Sequence, residues 1–466
     1  MRFLRFVAVL LSAALSLAAR ADRPGPEGTW VGTIKSPFGE VRLVFKLTAG
    51  GDGRYSGRLD VIDQGAKDLP VAKVSYGEGR LLLEMPNLGA SYAGSLAKDG
   101  NSIEGIWKQQ GEHPLTLRRT ERIAALKRPQ TPVAPLPYAV EEVAIDGGAA
   151  GVRLAGTVTR PNGAGPYPAI VLISGSGPQD RDETVFGHKP FAVLADYLTR
   201  RGYVVLRYDD RGFGASTGDF GNSTTADFAS DARAAVGYLK GRREVAPGRV
   251  GLIGHSEGGV IAPMVAADTP VRFIVLIGAP GLPGGEIVVS QAESLQRSMG
   301  GNPRQVELSR GLNQTLVDVI KRGGDAGWVK QAATDFLNGL EGDDDRKLVG
   351  EAVAAVIKDP STLTGPWTRY FVKHDPRPVL AKVRCPVLAL TGERDAHVEA
   401  GPNLKAMEQA LRDGGNQHVT CKNLPGLNHL LQTCSTGSPA EYGDIEQTIS
   451  PNALEAIGAW LESTDP

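Results

Sequence analysis

Val250-Gly251-Leu252-Ile253-Gly254-His255-Ser256-Glu257-Gly258-Gly259 is the stretch on which the reading of this chain turns. Residues 250–253 form an apolar run of strand length, and 259–267 is apolar at helical spacing. Between them stands a serine with glycine two positions before it and two after. The pattern G-x-S-x-G is short enough to arise by chance. Here strand, turn and helix surround it, which is the context a nucleophile elbow requires. A serine on so sharp a turn is strained, and its neighbours two residues away must lack bulk. The same turn exposes the hydroxyl and leaves amides at the helix start to hold an anion. Ser256 is therefore expected to be a nucleophile.

A serine hydroxyl attacks poorly without a base. Of the seven histidines, His255 adjoins the serine and is expected to point away across the turn. His113 belongs to a different segment, His188 is early, and His374 lies near the end of a helical stretch. His429 stands in the loop Pro425-Gly426-Leu427-Asn428-His429 after a predicted strand at 418–424, and is assigned as the base, with His397 as the alternative. On such an elbow the acid lies between nucleophile and base in chain order. A predicted strand at 387–391 is followed by Gly392-Glu393-Arg394-Asp395. Asp395 is the candidate acid and Glu393 the alternative; its task is to orient the imidazole and stabilise the imidazolium.

The oxyanion hole needs two main-chain N–H groups. Glu257, the residue after the nucleophile, supplies one. The other is assigned to Ser176 in the loop Ser174-Gly175-Ser176-Gly177, with Gly175 and Gly177 as alternatives. The Glu257 side chain is read as a surface carboxylate, with an influence on leaving-group chemistry as the alternative. Asp210-Arg211-Gly212-Phe213-Gly214 lacks the spacing of a dinucleotide fingerprint. Asp210 and Arg211 are expected to brace neighbouring loops by ion pairing.

Outward from the elbow, predicted strands at 169–173, 204–208, 250–253, 273–277, 387–390 and 418–424 alternate with helices at 191–201, 226–240, 259–267, 402–412 and 451–461. A hairpin at 143–145 and 152–158 precedes them. This alternation predicts an α/β fold, a mostly parallel sheet with helices on both faces, whose ligands bind at the carboxyl ends of the strands. Residues 283–378 are rich in helix formers and read as a cap inserted above those ends, within a domain spanning 141–466. Residues 22–122 read as a small all-β domain, with runs at 29–34, 41–47, 54–61, 80–84 and 115–119 between glycine-, aspartate- and asparagine-bearing turns. Meander, sandwich and small barrel all fit that spacing. Pro129, Pro132, Pro135 and Pro137 mark 123–140 as a stiff linker.

Residues 1–21 have the layout of a signal peptide: Arg2 and Arg5, an apolar core at 6–17, then Ala19-Arg20-Ala21. Export to the periplasm or beyond is expected. That apolar core is shorter than the roughly 20 residues of a membrane span, and no second run of that length follows, so no span is expected after processing. A net charge of −1 gives no electrostatic pointer to nucleic acid or an anionic membrane. No His/Cys cluster has zinc spacing, and neither metal nor organic cofactor is expected. Cys421 and Cys434 flank a short loop, and Cys385 precedes an apolar run. Export permits a disulfide, and a 421–434 bridge stands as an open alternative to unbridged thiols. Nothing in the sequence specifies an oligomer.

Taken together, 174–182, Gly187-His188-Lys189-Pro190, 208–214 and 254–259 resemble the α/β-hydrolase superfamily, and more narrowly a group of bacterial exported esterases with an N-terminal β domain. The resemblance runs over 140–463, and more weakly over 27–120. It implies an α/β-hydrolase domain and hydrolysis of a small-molecule carboxylic ester through Ser256, Asp395 and His429, by way of an acyl-enzyme. Relatives on this fold include peptidases, thioesterases and lactone hydrolases, so fold alone does not choose the substrate. A serine peptidase of the same fold is the alternative, and a non-catalytic binding protein on a hydrolase scaffold is the rival from another class. One departure bears on loop support: Ser174-Gly175 stands where many relatives carry His-Gly.

Overall fold

The computed structural model describes residues 25–464 apart from 37–38, 52–53, 63–65, 110 and 122–126; the expected signal peptide lies outside the described residues. The chain divides into two units, Met1–Leu126 and Lys127–Pro466.

In the first unit the strands are β1 (Gly28–Ser36), β2 (Gly39–Ala49), β3 (Tyr55–Val61), β4 (Ala66–Gly77), β5 (Arg80–Met85), β6 (Ala90–Leu96), β7 (Ser102–Lys108) and β8 (Glu112–Arg119). Each pairs with the next, and β8 returns antiparallel to β1, so the sheet closes into a barrel. Closure removes exposed strand edges. Of the three architectures that the spacing allowed, the barrel is the one formed. Inward-facing Trp30, Phe45, Leu59, Leu83, Tyr92 and Trp107 fill it, as expected for a small barrel. Strands β4, β6 and β7 are the ones that sequence patterning does not mark. In β6 and β7 the reason is visible: Gly94 pairs with Gly105 across the ladder, interrupting apolar alternation. The Tyr92 hydroxyl lies close to Gly94 and donates to the main-chain oxygen of Ile103 at 2.9 Å.

The second unit is built on β9 (Ala139–Asp146), β10 (Arg153–Arg160), β11 (Tyr167–Ile173), β12 (Val204–Tyr208), β13 (Val245–His255), β14 (Ile274–Ile277), β15 (Val387–Gly392) and β16 (Val419–Leu424). Their order is β16-β15-β14-β13-β11-β12-β10-β9. The contacts β9–β10 and β10–β12 are antiparallel, and the rest are parallel. Around the sheet run α1 (Pro190–Thr199), α2 (Thr225–Lys240), α3 (Gly258–Ala266), then α4 (Gly284–Ser298), α5 (Pro303–Lys321), α6 (Ala326–Asn338), α7 (Asp343–Lys358), α8 (Ser361–Thr364), α9 (Pro366–Lys373) and α10 (Arg377–Leu380), and finally α11 (Ala400–Asp413) and α12 (Pro451–Thr464).

The central strands have near-continuous apolar runs, such as 169–173 in β11 and all of β14, because both faces are covered. Along β11, Ile170 and Leu172 face α1 and α12, while Val171 and Ile173 face α2, α3 and α11. A fully buried side chain of this size contributes about 1.5–3 kcal/mol, so two such layers dominate the stability of the unit. Helix starts follow local rules. Thr224 and Asp227 form a capping box at α2, as do Asn302 and Gln305 at α5, each satisfying orphan amides. Sheet order, the elbow after β13 and the helical insertion α4–α10 make this unit an α/β-hydrolase domain.

The expected linker is only partly a spacer. Arg128 donates to the carbonyls of Phe186 at 2.7 Å and Gly443 at 2.9 Å. Gln130 donates to Ile449 O at 2.7 Å and accepts from the Thr448 amide at 2.6 Å. These polar side chains, set among the prolines, fasten the segment from residue 127 onward to the second unit.

Candidate active site

Parallel strands bring their carboxyl ends to one edge of the sheet, and four loops meet there: those after β11, β13, β15 and β16. The loop after β13 is the elbow. Ser256 has φ +53°, a left-handed conformation that costs a non-glycine residue about 1–3 kcal/mol. Its N–H donates to Ile277 O at 2.8 Å, which holds the turn. The flanking glycines have a steric cause. A Cβ on Gly254 would lie 2.0 Å from Gly258 O, and one on Gly258 would lie 2.1 Å from Ile173 O. Gly258→Ala is therefore expected to destabilise the protein at the upper end of roughly 1–3 kcal/mol, the usual cost of overpacking, as measured by urea denaturation. Wild-type stability in that variant would mean that the turn has slack.

Asp395 and His429 are brought together. Oδ2 of Asp395 lies 2.7 Å from Nδ1 of His429, and Oδ1 accepts the amides of His397 and Val398, both at 2.8 Å. Burial at 5% exposure pushes the Asp395 carboxyl up. The charge and hydrogen bond of His429 outweigh it and hold the group below the ordinary carboxylate range. A carboxylate at Nδ1 fixes the proton there and leaves Nε2 with the lone pair that can accept a proton. Glu393, the alternative acid, is exposed and accepts Gly426 N–H at 2.9 Å. His397, the alternative base, lies with its ring 4.7 Å beyond that of His429 and bonds Gln291 through Nδ1 at 2.9 Å. Burial, then the charge on His429, push it down to about 3.

The pair also lies against the elbow. A Cβ on Gly278, the residue after Ile277, would sit 3.0 Å from His429 Nδ1 and 3.3 Å from Asp395 Oδ2. Among the described residues the Ser256 hydroxyl has no hydrogen-bond partner. Nucleophile–base bonds are often long without substrate and tighten when it binds.

The loop after β11 settles one alternative. Gly175 N–H donates to Glu183 Oε1 at 2.7 Å, so that amide is occupied. Among the described residues no acceptor takes the N–H of Ser176 or Glu257, and both residues line a cavity together with Ser256. Ser174 supplies the loop support that its departure from the His-Gly pattern put in doubt: its hydroxyl donates to Asp210 Oδ1 at 2.9 Å. Asp210 also accepts Gln179 N–H at 3.0 Å. Asp210 thus braces the loop by neutral donors rather than by the expected ion pair, and burial pushes its carboxyl well up. Arg211 does form an ion pair, with Asp231 at 2.6 Å.

The cavity measures about 230 Å³, and the cap walls it with Ile287 and Val288 of α4, Leu316 and Ile320 of α5, and Trp367 and Phe371 of α9. The Glu257 side chain bonds to this wall. It is 2% exposed, not a surface carboxylate as expected. Its Oε1 accepts from Thr225 Oγ1 at 2.6 Å and Trp367 Nε1 at 2.7 Å, and burial pushes its carboxyl up. Trp367 lies 110 residues away, so no local pattern could reveal the partnership. Glu183 escapes sequence reasoning for a similar reason: it is one acid in the charged run Asp180-Arg181-Asp182-Glu183. The three cysteines are unbridged, which decides the open 421–434 question. Among the described residues no helix is long and apolar enough to cross a membrane.

The pattern of the X-Pro dipeptidyl-peptidase (S15 family) matches residues 147–420, which include the elbow and Asp395 and stop short of His429. Over 318 residues the chain is 29% identical to Esterase EstD of Thermotoga maritima, covering 66% of this chain and 65% of that one. An uncharacterized protein of Mycobacterium tuberculosis is 31% identical over 159 residues, covering 32% of this chain and 53% of that one. The chain thus spans less than two thirds of the length of these relatives. Among solved structures, an esterase of Pyrococcus furiosus aligns over 72% of this chain and 97% of its own at 14% identity and TM-score 0.42. A proline iminopeptidase of Mycobacterium smegmatis aligns over 70% and 99% at 18% identity and TM-score 0.41.

Proposed function

The chain belongs to the X-Pro dipeptidyl-peptidase (S15) family of serine hydrolases, and on that premise we propose that it hydrolyses small carboxylic esters by acyl transfer from Ser256 to water. Ser256 Oγ attacks the ester carbonyl while His429 Nε2 takes the hydroxyl proton. Asp395 holds the resulting imidazolium. The oxyanion is received by the amides of Ser176 and Glu257, an arrangement in which losing one donor typically costs roughly 3–4 kcal/mol. His429 then protonates the leaving alcohol, and water attacks the acyl-enzyme with His429 again as base. Export of the enzyme, read from residues 1–21, belongs to the same proposal.

The observation that carries the reading is the cavity at Ser256, with the fixed Asp395–His429 pair beside the elbow. At about 230 Å³ it is smaller than the roughly 300–1,000 Å³ of drug-sized sites, and its walls are mainly apolar. A short acyl chain or alcohol suits it. Esterase EstD carries an esterase name, which supports the same reading.

A peptidase reading has one observation in its favour, the Glu257 carboxyl at the cavity, where it could meet a peptide amino terminus. Against it, Oε1 already takes two donors, and burial pushes the group toward its neutral form. A p-nitrophenyl ester and a p-nitroanilide of the same acyl group separate the readings. The expected result is a higher kcat/KM for the ester, with a fluorophosphonate probe attached at Ser256 on peptide mapping. A higher kcat/KM for the anilide would transfer the assignment to peptide hydrolysis. An unlabelled, inactive protein would reject hydrolase chemistry and favour a binding scaffold.

A further inference from the structure

His255, immediately before the nucleophile, makes contacts that the acyl-transfer steps do not use. Its Nδ1 lies 2.8 Å from Glu183 Oε1, and its Nε2 lies 3.1 Å from the main-chain oxygen of His429. A carbonyl oxygen can only accept a hydrogen bond. Glu183 Oε1 also takes the Gly175 amide at 2.7 Å, and as a carboxylate oxygen it too can only accept. A neutral imidazole has one N–H and one lone pair. With a single proton, the ring would set its lone pair against one of these two oxygens. Both bonds together require a ring carrying both protons.

We propose that Glu183 holds His255 as a buried imidazolium, and that His255 is a positioning residue that pins the His429 loop and the Gly175 loop to the nucleophile elbow. The inference rests on the reading of Ser256 and His429 as nucleophile and base. The three segments joined are the ends of β11, β13 and β16, which carry an oxyanion donor, the nucleophile and the base. Since a displacement of about 1 Å in such a constellation costs on the order of 100-fold in rate, a single pin among all three has kinetic weight.

The surroundings fit a charged pair. His255 is 7% exposed and Glu183 4%, so neither is freely solvated, and each supplies the charge the other lacks. Glu183 has φ +53°, a strained conformation for a non-glycine residue that persists only where its surroundings over-determine it. Four titratable groups face or neighbour the ring: Glu183, His429 with rings 4.7 Å apart, Asp395 behind His429, and His397 beyond it. His397, pushed down to about 3, stays neutral and adds no competing charge. Burial pushes His255 down, and the Glu183 carboxylate outweighs it, so the net shift is upward. The second proton is therefore present at low pH and lost as pH rises through that elevated value. Removing the Glu183 charge moves its loss to lower pH.

The full-length protein labelled with ¹⁵N-histidine tests the protonation directly. Two-bond correlations at neutral pH are expected to show both ring nitrogens of His255 protonated, and Glu183→Gln is expected to leave one. His255→Phe keeps the ring volume and removes both N–H groups. It is expected to lower kcat on a short ester by about 100-fold with KM little changed and the circular dichroism of the wild type. If His255→Phe does not fold, His255→Gln takes its place in the kinetic arm. A singly protonated His255 in the wild type, or a folded variant with wild-type kcat, overturns the proposal. Failure of the ester reading shows separately, as no fluorophosphonate label on Ser256, and the ring protonation still decides the imidazolium.

Discussion

Ser256→Ala is expected to lower kcat on short p-nitrophenyl esters by roughly a millionfold, the scale found when the nucleophile of a serine hydrolase relay is removed. The fold should be untouched, for two reasons. The bond that holds the turn is made by the main-chain N–H, to Ile277 O at 2.8 Å, and alanine keeps it. The hydroxyl has no partner among the described residues, so its loss leaves nothing buried and unpaired. Ser256→Gly extends the test. Glycine adopts φ +53° without penalty, so this variant should be as inactive as alanine yet more stable than wild type, by up to the 1–3 kcal/mol or so that the serine conformation costs. Stability lost to a strained nucleophile is a familiar trade for activity. Thermal unfolding of the two variants beside wild type, with their ester turnover, reads both effects. An active Ser256→Ala would remove this hydroxyl from the chemistry, and a less stable Ser256→Gly would show that the turn is not strained.

Much of the fold was legible because two local signals agreed. The wholly apolar strands 169–173 and 387–390, with 204–208 broken only by Arg207, announced a sheet covered on both faces, and the intervening segments kept helical spacing. The strand at 204–208 coincides with β12. At the site, Ser256 was legible from glycines whose steric role the turn now explains, and His429 and Asp395 from their places after β16 and β15. The side chains that organise the site were not legible. Glu257 looked like a surface acid because its partners, Thr225 and Trp367, lie 32 and 110 positions away. Glu183 looked like one charge in a solvated run, yet it joins residues 8 and 72 positions away. Periodicity reports which face of an element is buried, but not which polar groups meet once faces have packed. In the barrel, the Gly94–Gly105 pair erased the alternation that would have marked two strands.

Asp395→Asn is expected to lower kcat by about 10⁴, the cost of placing the imidazole in the wrong tautomer. The local geometry gives the reason. Oδ1 of Asp395 accepts two amides, from His397 and Val398 at 2.8 Å. An asparagine must keep its carbonyl oxygen at that position, since an NH₂ group there would face two donors. Its NH₂ is then forced into the place of Oδ2, 2.7 Å from His429 Nδ1. A donor at Nδ1 requires that nitrogen to accept, which drives the ring proton to Nε2, the atom that must receive the proton of Ser256. The variant should fold, because every hydrogen bond is kept with one reversed in sense. KM should change little, since residue 395 does not line the cavity. Glu393→Gln supplies the contrast: its carbonyl can still accept Gly426 N–H and nothing on the imidazole changes, so kcat should stay near wild type. A large loss in Glu393→Gln with turnover retained in Asp395→Asn would move the acid two residues back, and would require the loop after β15 to rearrange when substrate enters.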